Sequence, residues 1–143
     1  EANIWNDPHA ADIVFAANWP ITMVGLDVTT QVQCTPADFE RLAKSTPVLG
    51  GFLNEAVQFY FDFYASHYGE RGCHMHDPSA IIAITDPQYF TIETHALEVI
   101  VDGARIGQTT RSADPSRPKH KVPMGVDAEG VKQRFLSMIE TGF

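Results

Sequence analysis

The sequence predicts an α/β fold: short strands alternating with helices, then a strand-rich segment, then a C-terminal helix. Three observations carry that expectation. Near the start, an apolar stripe behind Asp7-Pro8 leads into a continuously apolar run at residues 21–26 with a polar tip, which is half of an α/β unit. Residues 90–124 read as strands separated by polar turns at Asp102-Gly103 and around Pro115. The last stretch, capped by Asp127, sets Val131, Phe135 and Ile139 four apart on one helical face. No repeat, low-complexity segment or linker interrupts the 143 residues, so a single compact unit is expected.

Taken in order, Asp7 and Pro8 supply the cap and first turn of a helix whose buried stripe is Ile13, Val14 and Ala17, closed by Asn18-Trp19-Pro20. Residues 21–26 (ITMVGL) have the continuous apolarity of a buried strand. Asp27, Thr29 and Thr30 lie at its carboxyl end, where ligands bind in open α/β sheets. A turn held by side-chain hydrogen bonds accounts for the same three residues. Thr35, Pro36 and Asp38 open a second helix with Phe39, Leu42 and Ala43 on its buried face, ended by Pro47. After Gly50-Gly51, residues 52–68 read as one long amphipathic helix with Phe52, Ala56, Phe59 and Phe63 in the core. Tyr60, Tyr64 and Tyr68 line up at intervals of four, placed either to border a pocket or to pack. Gly69-Glu70-Arg71-Gly72 breaks that helix, and residues 79–85 form a short apolar one ending at Asp86-Pro87. Residues 90–101 then read as strand structure turning near His95-Ala96, followed by strands at 105–110 and 119–124 and a loop at 111–117.

Composition bounds the function classes. Hydrophobic residues at 44% and charged residues at 20% describe a globular chain able to bury a core. A net charge of −8 argues against nucleic-acid binding, which needs a basic surface. Only Cys34 and Cys73 are present, so no disulfide framework is implied and a reducing cytoplasm is the default location. No apolar run approaches the roughly 18 residues of a membrane span, and no membrane partner is expected. No signal peptide is visible, although the chain opens at Glu1 rather than Met, which leaves a processed or shortened start open.

Chemistry concentrates in Cys73-His74-Met75-His76-Asp77-Pro78, where a thiol, two imidazoles and a carboxylate fall within five residues. Pro78 suits the first position of a helix, which puts His76 and Asp77 at its mouth, where the dipole favours a carboxylate. One reading is an active-site wall. A second is that Asp77 only caps a helix beside loop histidines. A third is a soft zinc or copper site of Cys73, His74 and His76, though no second ligand cluster has zinc-finger spacing. His9, His67, His95 and His120 are isolated and are expected to be exposed or individually satisfied.

Four ordered segments, "EANIWNDPHAADIVFAA", "ITMVGLDVT", "HMHDPSAIIAI" and "YFTIETHALEVIVDGARIGQTT", resemble the C-terminal part of the inosine-uridine preferring nucleoside hydrolases. The resemblance covers essentially the whole chain. It implies cleavage of the N-glycosidic bond of a ribonucleoside by calcium-activated water, in nucleoside salvage. It implies that Glu1 and Asn3 hold ribose hydroxyls, and that Asp77 ligates Ca²⁺ and touches the ribose. His76 would be the proton donor to the departing base, with Tyr64 and Tyr68 around that leaving group. The family's aspartate-rich N-terminal signature, which supplies most calcium ligands, is absent from these residues. The chain therefore reads as a fragment that needs the missing N-terminal half as partner, is inactive by itself, and exposes apolar surface that a homo-oligomer would cover. A non-enzymatic binding or assembly module is the alternative.

Overall fold

The computed structural model describes residues 2–142, and side-chain caps open three of its helices. Helix α1 (Ala2–Asn6) precedes α2 (Pro8–Ala16), where the Asp7 carboxylate accepts from the Ala10 N–H at 2.9 Å. A one-turn α3 (Leu26–Thr29) leads to β1 (Gln33–Cys34) and α4 (Pro36–Ser45), whose Asp38 carboxylate accepts from the Thr35 N–H at 2.8 Å. Helices α5 (Leu49–Ala56) and α6 (Gln58–Tyr68) follow, then β2 (Cys73–His74) and α7 (His76–Thr85). Strands β3 (Phe90–Val99), β4 (Thr109–Arg111) and β5 (Lys119–Val126) form an antiparallel sheet in the order β4-β3-β5. Helix α8 (Ala128–Thr141), capped by Asp127, closes the chain. Among the described residues no helix is long and apolar enough to cross a membrane.

Two cores result. The larger joins Leu42 and Phe39 of α4, Phe61 of α6, Ile82 of α7, and Val131 and Leu136 of α8. Phe135 and Ile139 pack against it, as the four-residue spacing of the last helix predicts. Helices α4 and α5 touch so closely that a Cβ on Gly50 would stand 2.1 Å from the Leu42 carbonyl oxygen. The smaller core sets Phe15 of α2 against Leu97, Val99 and Val122 of the sheet. His120 is buried there too, its ring Nε2 donating to the Phe15 carbonyl at 2.8 Å.

Several expectations need correcting. Residues 21–26 do not form a strand: a single bridge joins Thr22 to Lys121, and Gly25 already caps α3. Helix α2 buries Phe15 and leaves Ile13 70% exposed, so the Ile13, Val14, Ala17 stripe is not its core face. That helix is apolar nearly all round, and Asp12 decides its rotation by hydrogen-bonding Val99 N–H and Arg117, which carries Phe15, three residues on, toward the sheet. The long helix at 52–68 is two helices meeting at Val57. Leu53, Val57, Phe61 and Tyr64 face the core, while Phe52 and Phe59 are 66% and 75% exposed and Phe63 is exposed as well. Strand β3 runs through His95-Ala96 without a turn, its one register shift falling at Thr91/Ile92. The segment expected as a strand at 105–110 begins as a 3₁₀ turn, Gly103–Arg105, before β4.

Candidate active site

A two-residue ladder builds the site. β1 pairs antiparallel with β2, Gln33 opposite His74 and Cys34 opposite Cys73, and Met75 N–H donates to the Val32 carbonyl at 2.8 Å. This fixes the end of α3 beside the start of α7. Successive residues of a strand face opposite ways. Cys73 accordingly enters the larger core and His74 turns toward α6. Inside α7, the buried Ser79 hydroxyl donates to the Met75 carbonyl and holds the first turn closed.

His76, the first residue of α7, is gripped on both ring nitrogens. Thr29 Oγ1, from α3, lies 2.8 Å from Nδ1, and the Tyr64 hydroxyl, from α6, lies 3.2 Å from Nε2. Around this pair the rings of Tyr64 and Tyr68 stand 5.3 Å apart, and His74 packs edge-on to Tyr64 at 4.9 Å. His74 is also 5.7 Å from His76, centroid to centroid. Desolvation, then the neighbouring His76 ring, lower the His74 pKa below its ordinary 6.5. Burial raises the Tyr64 phenol pKa, outweighing an opposing backbone hydrogen bond from His74. Both shifts favour the neutral side chain, and the cluster is an aromatic, weakly polar wall.

Asp77 is next along α7, exposed in the first turn, and its carboxylate has no hydrogen-bond or ion-pair partner among the described residues. A helix N-terminus stabilises such a free carboxylate. A mostly apolar cavity of about 420 Å³ opens beside the pair, lined in part by Leu53, Val57, Tyr60, His74, His76 and Asp77.

The structure thus brings His76, Asp77, Tyr64 and Tyr68 together. Asn3 sits exposed on α1, whose nearest described packing is with α2 and, through Trp5, with Gly107; no hydrogen bond ties it to the cluster. Glu1 lies outside the described residues. Of the three residues at the end of the 21–26 run, Thr30 hydroxyl bonds its own turn at Leu26 O, and only Thr29 reaches the site. His74 was the member that its sequence position under-rated. Its neighbour Cys73 turns into the larger core, where burial pushes its thiol up to about 11. Among the described residues no three His, Cys, Asp or Glu side chains are grouped to hold a metal ion.

A family model described as inosine-uridine preferring nucleoside hydrolase matches residues 1–133. Probable uridine nucleosidase 1 of Oryza sativa subsp. japonica is 39% identical over 109 residues, covering 76% of this chain and 34% of its own length. The inosine-uridine preferring nucleoside hydrolase of Crithidia fasciculata is 34% identical over 121 residues, covering 84% of this chain and 38% of its own. A plant nucleoside hydrolase superposes with a TM-score of 0.89 at 35% identity, over 100% of this chain and 48% of that one. A purine-preferring ribonucleoside hydrolase from Gardnerella vaginalis does so with a TM-score of 0.89 at 34% identity, over 98% and 46%. The chain spans about half the length, or less, of each of these proteins.

Proposed function

Because this chain belongs to the inosine-uridine preferring nucleoside hydrolase family, we propose that it contributes the leaving-group wall and part of the ribose site of an enzyme cleaving the N-glycosidic bond of ribonucleosides. The observation that carries this reading is His76, held on both nitrogens at the mouth of α7, beside a free Asp77 carboxylate. N-glycosidic cleavage passes through an oxocarbenium-like state and leaves electrons on the base. A proton delivered to that base by His76 drains the charge, and imidazole is the side chain most often used for such a transfer. Tyr64 and Tyr68 present a ring wall against which a departing base can stack. Asp77, Asn3 and Glu1 are assigned to ribose hydroxyls, fixing the sugar for the reaction.

Asp77 is also assigned as one ligand of Ca²⁺. Calcium takes about six to eight oxygens. One carboxylate with no companion among the described residues does not fit a complete shell. In this reading the remaining ligands come from a polypeptide covering the N-terminal portion of the family fold, and the 143 residues by themselves are inactive.

Mixing this chain with such a polypeptide and Ca²⁺ should release ribose from inosine or uridine, and His76→Ala should lower that rate about 100-fold or more. A well-folded, stoichiometric complex that releases no ribose would sink the proposal.

A further inference from the structure

We propose that Thr29 is a positioning residue for His76: its hydroxyl occupies Nδ1 and so makes Nε2, on the Tyr64 side, the nitrogen that carries the proton to the leaving base. The inference deepens the function proposed above and rests on it for the identity of the proton acceptor.

Thr29 is only 3% exposed, and His76 Nδ1 is its hydroxyl's one partner among the described residues. The contact spans 47 positions and joins two separate helices. Neither end is free to drift: Thr29 N–H is bonded to the Gly25 carbonyl at 3.1 Å, and α7 is pinned through Met75 to Val32 at 2.8 Å. The opposite bond, to the half-buried Tyr64, is longer at 3.2 Å, and a base nitrogen can take its place.

A hydroxyl oxygen suits Nδ1 through a whole proton cycle, since it accepts from Nδ1–H in both the charged and the neutral ring. With His76 as imidazolium, Nδ1–H donates to Thr29 Oγ1 and Nε2–H faces the base. As the N-glycosidic bond breaks, its electron pair stays on the base, and the Nε2 proton moves to a base nitrogen. His76 is left neutral with its remaining proton on Nδ1, still donated to Thr29, and solvent water returns the Nε2 proton. A residue lacking the hydroxyl leaves Nδ1 free to compete as the proton carrier and the ring free to turn.

Thr29→Val keeps the shape and removes the hydroxyl, whereas Thr29→Ser restores it. Long-range proton–nitrogen NMR on the full chain with labelled histidine, His76 being identified by its loss in His76→Gln, reads the ring directly. One dominant neutral tautomer is expected in the wild type and in Thr29→Ser, and both tautomers in comparable amounts in Thr29→Val. Unchanged His76 nitrogen shifts in Thr29→Val with an unaltered fold overturn the proposal. In the complete hydrolase, Thr29→Val should lower kcat about tenfold or more with KM within about twofold, and Thr29→Ser should restore it. Equal kcat in Thr29→Val and wild type also overturns it. Ribose release failing in the wild type itself would instead strike the parent reading, while the nitrogen shifts still decide whether Thr29 governs the ring.

Discussion

Removing the Asp12 carboxylate should unfasten α2 from the sheet. Strand β3 outruns β5, whose last pair is Lys119 opposite Ala96, so backbone groups beyond that point need other partners. Arg117 Nη1 donates to the Leu97 carbonyl at 2.9 Å, and Asp12 Oδ1 accepts from the Val99 N–H at 2.9 Å. Asp12 Oδ2 also accepts from Arg117 Nη2 at 2.7 Å, with the two side chains 25% and 17% exposed. Asp12→Ala leaves a backbone donor unpaired and a mostly covered guanidinium without its anion. Taking the low end of each cost because water reaches the site, the loss is about 2–3 kcal/mol. Asp12→Asn keeps an acceptor for Val99 and loses the charge, for about 1 kcal/mol. The Arg117 hydrogen bond chiefly holds the Asp12 pKa below 3.8, so its contribution is present above the unfolded value and is lost as pH falls through the folded one. Urea unfolding followed by circular dichroism should show the wild-type advantage constant from pH 7.5 to about 5, then shrinking from about pH 4 downward. Equal midpoints for Asp12→Ala and wild type at pH 7, or a gap that does not shrink in acid, would refute the reasoning.

Gly50→Ala drives a methyl into the Leu42 carbonyl, and should destabilise by about 1–3 kcal/mol in the same assay; an unchanged midpoint would mean α4 and α5 are looser than described. Cys34 and Cys73 are buried, with thiols pushed up to about 12 and about 11, chiefly by desolvation. A disulfide-exchange reagent at pH 8 should therefore find both unreactive until denaturant is added, and fast reaction of either in the native chain would contradict that placement. The exposed Val48, Phe52 and Phe59 on α5, its cap and α6 should be covered by a second copy. Sedimentation at micromolar concentration should show a dimer or larger that Phe59→Glu weakens; a wild-type monomer would end that reading.

What the sequence disclosed divides by range. Caps and starts at Asp7, Thr35, Gly69 and Asp127 are local chemistry, satisfied within a few residues, and they stand where expected. Helix faces were harder. In "QFYFDFY" aromatic residues occupy every side of the helix, so spacing cannot tell Phe61, fully buried, from Phe59, mostly exposed. The decision comes from α4 and α8 packing on the Val57–Phe61 side, which is tertiary information. The 21–26 run had the apolarity of a strand but only one bridge partner, because Pro20 precedes it and Gly25 turns it into α3. At the candidate site, residue density singled out His76 and Asp77, and the family resemblance singled out Tyr64 and Tyr68, all four as proposals. Thr29 was marked only as a strand-end candidate, since nothing local ties it to a histidine 47 positions on.

That separation bears on how the site is held. Thr29, Tyr64 and His76 come from α3, α6 and α7, and the chain runs through other elements between each of them. A two-residue ladder is what aligns them. Cys34 opposite Cys73 buries both side chains in the core, while Gln33 opposite His74 leaves the imidazole on the tyrosine side. With so few ladder bonds, the alignment depends on the apolar side of the pair: Cys34, Cys73 and Met75 join Phe39, Phe61 and Leu136 in one cluster. Enlarging a cysteine there would therefore disturb His76 without touching it. The site owes its geometry to core packing on one face of β2 and its chemistry to the residues on the other.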